Sequence, residues 1–332
     1  MQTGKETIKN AIEFKTPDRL PIIWNRDGSG DVVGIPWNQI GTGDNRQRNT
    51  FDEWGCGWQR TEVPNMGQIT YHPLEKWENY ESYKFPNPDS FEFYDGVKER
   101  AESCDCEKYV MTNIFLLLFD RLNGLRGYEN LLADLYLERE KVEELADRVV
   151  EFDLRVIENM NKICCGKIDG FKFSDDWGNE ISLMINPKLW NDFFKPRYKK
   201  IFDKCHEYGW HVWMHSCGRV NEIISPLIEI GCNVLNLQQP LTLGIEEIGK
   251  LHAGKVCFET TCDIQHTLPS KKPEEIEKEA RTLIECWGTD EGGLIFGSYG
   301  DTAAIGASDE NIEAMLEAFH KHDRWKRMKF AK

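Results

Sequence analysis

The sequence predicts an α/β chain of parallel βα units at the cadence of a (β/α)8 barrel, on three observations. From about residue 168 onward, short apolar, β-rich runs alternate with helical stretches. Five such strands fall in roughly 130 residues, the spacing of barrel repeats. The residues that follow the strand ends are polar throughout, which is where a barrel places its chemistry.

Taken in order, residues 20–24 (LPIIW) and 108–114 (KYVMTNI) are strand candidates in the first half. Residues 142–163 carry Val142, Leu145, Val149, Phe152 and Val156 at helical spacing, a long amphipathic helix whose stripe is core. Residues 170–175 (GFKFSD) form a strand ending in acids, and a helix follows from Asn186, a fitting N-cap with Pro187 at the first helical position. Residues 210–215 (WHVWMH), 232–237 (CNVLNL), 255–260 (KVCFET) and 293–297 (GLIFG) continue the strand series. Helices are expected at 220–230, 244–251, 273–287 and 309–320. That makes seven strands, with an eighth expected near residues 91–94 or inside the long aromatic, Gly- and Pro-rich stretch at 25–89. A segment of that length is expected to build a lid or pocket wall.

Composition excludes several function classes. With 56 acidic against 41 basic side chains and a net charge of −15, the chain lacks the basic clusters that neutralise phosphates, so no nucleic-acid partner is expected. The one basic run, residues 195–200 (KPRYKK), is broken by Pro196 and Tyr198 and reads as a solvated helix face. No stretch approaches the ~18 apolar residues of a membrane span. The amphipathic start, MQTGKETIKNAIEF, has no apolar signal region, and eleven scattered cysteines read as free thiols, so a cytoplasmic location is expected.

At the strand ends stand Trp24, Arg26 and Asp27, then Asp175, Asp176 and Trp177, then His215 and Cys217, Glu259, and finally Tyr299 and Asp301. The sharpest local signal is His215-x-Cys217: imidazole and thiolate are both good zinc ligands, and a bend at Gly218 can turn them toward one ion. The plain alternative is a strand-end histidine bonded to backbone beside a buried cysteine.

A longer set of motifs runs along nearly the whole chain. It comprises Thr16-Pro17-Asp18-Arg19-Leu20-Pro21, Asp52-Glu53-Trp54-Gly55, Phe85-Pro86-Asn87-Pro88, Arg126-Gly127-Tyr128-Glu129-Asn130, the stretch from Asp175 through His215 and Cys217 to Pro240, Asp263-Ile264-Gln265 and Gly292-Gly293-Leu294-Ile295. In these the chain resembles the uroporphyrinogen decarboxylase superfamily and, more narrowly, its methyltransferase branch. The resemblance implies one barrel domain over residues 1–332, a (β/α)8 TIM barrel with an N-terminal helical extension, an insert at 25–95 after the first strand, and a pocket at the C-terminal mouth. The superfamily's decarboxylases carry an Arg-rich N-terminal signature for tetrapyrrole carboxylates, whereas PIIWNRDGSGDVVG offers only Arg26. The methyltransferase branch joins H-x-C to a later third cysteine around zinc. Here Gly297-Ser298-Tyr299-Gly300-Asp301 lacks that cysteine, leaving Asp301 or Glu259 as the third ligand, with Cys257 and Cys262 in competition.

The implied activity is a corrinoid-dependent methyltransferase that moves a methyl group between a small methylated substrate, best an aryl methyl ether, and cobalt. No D-x-H-x-x-G corrinoid motif occurs, so the corrinoid arrives on a partner protein, to which an acidic surface is suited. Asp175, Asp176 and Asp301 are candidate proton donors to the departing oxygen, and Trp24, Arg26, Asp27, Trp177 and Tyr299 candidate substrate contacts. Trp37, Trp54 and Trp58 either join them at the mouth or pack the insert. The alternatives are a methylcobamide:thiol methyltransferase with a zinc-activated thiol, a decarboxylase, and a non-catalytic partner of a corrinoid protein; a homodimer is compatible with each.

Overall fold

A computed structural model describes residues 2–23, 29–39, 50–60, 67–300 and 302–330. Trp24, Arg26, Asp27 and Asp301 lie outside the described residues. The strands are β1 (Val32–Gly34), an antiparallel ribbon of β2 (Gly57–Gln59) and β3 (Gln68–Tyr71), then β4 (Tyr109–Phe115), β5 (Gly170–Ser174), β6 (His211–His215), β7 (Val234–Leu237), β8 (Cys257–Thr260) and β9 (Leu294–Phe296). β1 and β4 to β9 form one parallel sheet in the order β1-β4-β5-β6-β7-β8-β9. Ile22 bridges in parallel to Phe296 on β9, and its carbonyl accepts the Asp31 amide at 2.7 Å. The chain around Ile22 therefore stands between the two sheet edges and closes an α/β barrel.

The expected strand at 20–24 is thus reduced to one bridge, because each neighbouring edge offers it only a few bonds. The missing strand lies inside the insert, as β1. Residues 91–94 are not a strand: Phe91–Phe93 form a 3-10 turn.

Alternation along each strand separates two apolar regions. Outward side chains such as Val110, Ile114, Phe171, Phe173, Val212, Met214, Leu235, Phe258 and Phe296 join the large core under the helices. Inward side chains Tyr109, Trp213, Val234, Cys257 and Ile295 pack with Ile8, Ala11 and Ile12 of the helix Gly4–Ile12. That helix begins with a capping box in which Thr3 and Glu6 satisfy each other's backbone amides. It plugs the N-terminal end of the barrel, with Lys5 and Lys9 anchored to Asp169 at 2.9 and 2.8 Å. Space for a ligand inside the barrel is left at the other end.

The outer helices follow the sequence pattern closely. Arg139–Cys164 buries the stripe from Val142 to Val156, and Pro273–Trp287 and Asp309–Lys321 appear where expected. Asn186 caps the helix at Pro187, its side chain accepting the Lys188 amide, and a π turn at Trp190–Phe194 leads into Lys195–Glu207. The basic run on that last helix is matched by acids: Lys195 to Glu229, Arg197 to Asp147 and Lys199 to Asp203, at 2.6 to 2.8 Å.

Much of the insert is packed tightly onto the barrel. Trp37, Trp54 and Trp58 are buried. Trp54 sits 4.8 Å from Phe152, centroid to centroid, and the guanidinium of Arg121 lies over its ring. Asp52 accepts the amides of Trp54 and Cys56, the Trp58 indole N–H and Arg121. Of the two readings for these tryptophans, packing is the one observed, because a buried Asp–Arg pair holds the loop against the helices.

Candidate metal centre and active site

Two strand ends bring three donor atoms together. Asp176 follows β5, while His215 ends β6 and Cys217 lies two residues on. One ligand atom from each of the three falls within 4.8 Å of the others. Nε2 of His215 is 3.5 Å from Sγ of Cys217 and 3.6 Å from a carboxylate oxygen of Asp176. That same oxygen accepts the Cys217 amide at 2.9 Å, which ties the two loops to each other.

The ring of His215 is oriented from behind. Its Nδ1 lies 2.6 Å from Oδ1 of Asn236 on β7, an acceptor, so Nδ1 carries the proton and Nε2 turns its lone pair toward Cys217 and Asp176. Burial and the Asp176 carboxylate push the Cys217 thiol well above its ordinary range, so a thiolate there calls for a cation close by. One nitrogen, one sulfur and one oxygen, half-buried and converging, match the three-ligand set of an open zinc site.

The turn after Cys217 depends on two glycines packed back to back. Gly218 has φ +75°, and a Cβ there would meet the Gly178 carbonyl at 2.2 Å; one on Gly178 would meet the Arg219 amide at 2.6 Å. Gln239 completes the turn by accepting the Gly218 amide at 2.6 Å. Gly218→Ala is therefore expected to shift Cys217 and, if the three donors hold zinc, to weaken that binding at least about tenfold while leaving the circular dichroism spectrum unchanged. Zinc titration against a chromophoric chelator reads the effect; unchanged affinity would show that the turn does not set the ligand position.

The other anticipated site residues divide. Asp175 is fully buried and does not face the cavity: it accepts the backbone amides of Leu118, Phe119 and Asp120 and the hydroxyl of Tyr198, capping the helix Phe119–Arg126. Burial raises its pKa to about 6 against the pull of those donors. Trp177 is also fully buried, stacked 4.2 Å from Phe119 with its indole N–H on Tyr198, so it supports the site from the core instead of contacting a substrate. Glu259 is taken up by Lys172, whose Nζ lies 2.7 and 3.1 Å from its two oxygens. Cys257 is locked in the plugged barrel core, and Cys262 donates to the Ile276 carbonyl under a helix. Among the described residues the donor that meets His215 and Cys217 is Asp176, because the loop after β5 folds directly against the Cys217 turn.

Two cavities meet at this cluster. An inner one of about 350 Å³ within the barrel is lined by His215, Asn236, Lys172, Ser174, Asn113 and Tyr299, among others. An outer groove of about 660 Å³ is lined by Cys217, Gly178, Ile181, Gln239, Ile264 and Ile305, among others. Ile181 at its rim is 82 % exposed.

Sequence reasoning missed Asn236, Lys172 and Asp120. Asp120 follows the end of β4, is half-buried, and accepts the Asp176 amide at 2.9 Å. Desolvation and the neighbouring Asp175 and Asp176 carboxylates push its pKa well above the ordinary range. Its place after a strand end was the available signal; for Asn236 and Lys172 it was a polar residue at an inward position of an apolar run.

Among functionally curated sequences none matches the chain. A methyltransferase from Methanosarcina mazei superposes with a TM-score of 0.70 at 14% identity, covering 97% of this chain and 99% of that one. Native xylanase 10B from Thermotoga maritima gives 0.44 at 8% identity, over 97% and 99% of the two chains. The first likeness establishes the shared fold. Residues 117–322, which include β5 to β9 and the three converging donors, match the family described as Uroporphyrinogen decarboxylase (URO-D), and the chain belongs to that family.

Proposed function

We propose that the protein is a corrinoid-dependent methyltransferase that moves a methyl group between a small methylated substrate, best an aryl methyl ether, and the cobalt of a separate corrinoid protein. The observation that carries this reading is the position of the Asp176–His215–Cys217 cluster between a cavity inside the barrel, lined by His215, and an outer groove, lined by Cys217. A small substrate fits the first, and a partner's cofactor can approach across the second. The 14%-identical methyltransferase of the same fold accords with it.

Asp176, His215 and Cys217 would hold zinc, which supplies Lewis acidity toward an ether or phenolic oxygen; an oxygen ligand makes the set harder than one with two thiolates. The corrinoid supplies the nucleophile that takes the methyl carbon. The chain's own residues prepare the rest. Asn236 fixes the His215 tautomer, Asp176 holds the Cys217 loop, and Asp120, whose pKa burial and the neighbouring carboxylates push upward, is placed beside the cluster as the proton donor to the departing oxygen. A tetrapyrrole decarboxylase needs several cations for its substrate carboxylates, whereas Lys172 is the one cation lining this cavity among the described residues, and Glu259 neutralises it.

The test is to mix the zinc-loaded protein with a Co(I) corrinoid protein and a panel of methoxyarenes, methylamines and methylthiols. Growth of the methyl-Co(III) spectrum with a methoxyarene is expected. No methyl-Co(III) with any donor, and none consumed by a thiol, would sink the methyltransferase reading in favour of a binding partner without catalysis.

A further inference from the structure

Lys172 and Glu259 form an ion pair across the barrel interior that the metal cluster does not use. Lys172 points inward from the middle of β5, and Glu259 inward from β8 in register with Asn236, the residue that orients His215. Glu259 is buried, while Lys172 remains partly open and lines the inner cavity with His215. Buried ion pairs cost heavily in desolvation and seldom stabilise more than apolar packing would, so this one invites a use.

The donors left over supply it. Glu259 takes Nζ of Lys172 at both its oxygens, and an ammonium has three N–H donors. Among the described residues no protein acceptor meets a further Nζ donor. Among the described residues the side-chain amides of Asn113 and Gln238 and the hydroxyl of Ser174, which line the same space, likewise meet no hydrogen-bond partner. These half-buried polar groups open onto the cavity and are placed to bond a ligand that carries oxygens.

We propose that the Lys172–Glu259 pair anchors the substrate and selects an uncharged, oxygen-bearing molecule, such as a methoxylated phenol, over its carboxylate or quaternary-ammonium counterparts. This rests on the methyltransferase reading for its choice of methylated substrate. The pair sums to zero charge, and no Asp, Glu, Arg or second Lys lines the cavity among the described residues. A carboxylate ligand would compete with Glu259 for Lys172 and leave one anion uncompensated; an ammonium would face Lys172 itself. A neutral phenol or ether oxygen accepts a charge-assisted hydrogen bond from Lys172 and disturbs neither partner.

Calorimetry on the full chain with 2-methoxyphenol, 3-methoxybenzoate and tetramethylammonium tests the selection. Wild type should bind 2-methoxyphenol at least tenfold tighter than either charged probe. The Lys172→Met/Glu259→Gln variant, neutral and checked by its thermal melt, should bind 2-methoxyphenol at least tenfold more weakly than wild type. Glu259→Gln at pH 6.5, where an unpaired lysine stays charged, should instead favour 3-methoxybenzoate over 2-methoxyphenol by at least tenfold. Wild-type preference for a charged probe, no binding of any of the three, or unchanged 2-methoxyphenol affinity in the double variant would overturn the proposal. Methyl-Co(III) formation is read separately: lysine-dependent binding without methyl transfer would leave the anchor standing and remove the methyltransferase reading.

Discussion

In the proposed zinc-dependent methyltransferase, His215→Ala is expected to remove zinc and to lower methyl transfer to cobalt by about a thousandfold or more. Two remaining donors, Asp176 and Cys217, cannot hold a metal that normally takes three protein ligands. Cys217→Ala should do the same, and Asn236→Ala a milder version, about 10- to 100-fold in zinc affinity, since it frees the imidazole to rotate or change tautomer. Binding must also release a proton, because the metal-free thiol is held well above its ordinary pKa. Below that folded-state pKa, affinity should rise by up to about tenfold per pH unit. Metal analysis of the purified variants, with affinity measured between pH 6 and 8, checks both statements. Full zinc content in His215→Ala, or an affinity that does not change with pH, would show that the ion sits elsewhere.

The second large effect is on stability, and it separates two neighbouring acids. Asp175→Ala removes the acceptor of three buried backbone amides and of the Tyr198 hydroxyl at the start of the helix Phe119–Arg126. Each unmet group costs about 1–3 kcal/mol, and with partial relaxation the loss should reach about 3–5 kcal/mol. Asp176→Asn is the control. Its amide oxygen can still accept the Cys217 amide, so stability should stay within about 1 kcal/mol of wild type while zinc affinity drops. Urea unfolding of the two variants beside a zinc titration reads the contrast. If Asp175→Ala unfolds like wild type, the carboxylate is not the cap, and a catalytic role for it would have to be considered again.

The difference between these two acids was invisible in the chain. Asp175 and Asp176 are adjacent, both follow a strand, and both suit acid chemistry by type. Alternation at the strand end sends one under the β4 loop and the other toward Cys217, and no local pattern says which partner each will meet. The sequence offers Asp301 and Glu259 as third metal donors; Asp301 lies outside the described residues, and among those described it is Asp176 that meets His215 and Cys217. Glu259 has its charge met by Lys172, from a strand 87 residues away. Trp177 carries the residue type of a substrate contact and is spent on stacking with Phe119.

What the sequence determined by itself is whatever depends on period and on neighbours along the chain. Strand and helix cadence, the Asn186 cap, the buried stripe of the long helix, the barrel and the pairing of His215 with Cys217 all belong there, because 2.0- and 3.6-residue periodicities and short spacings are local properties. Tertiary structure decided the eighth strand at Val32–Gly34, the completion of the donor cluster by Asp176, the capping duty of Asp175 and the Lys172–Glu259 pair. Each of these rests on a contact between strands or loops brought together only when the barrel closes. At such contacts the choice turns on which buried charge or backbone amide lacks a partner, a long-range condition that no window of sequence contains.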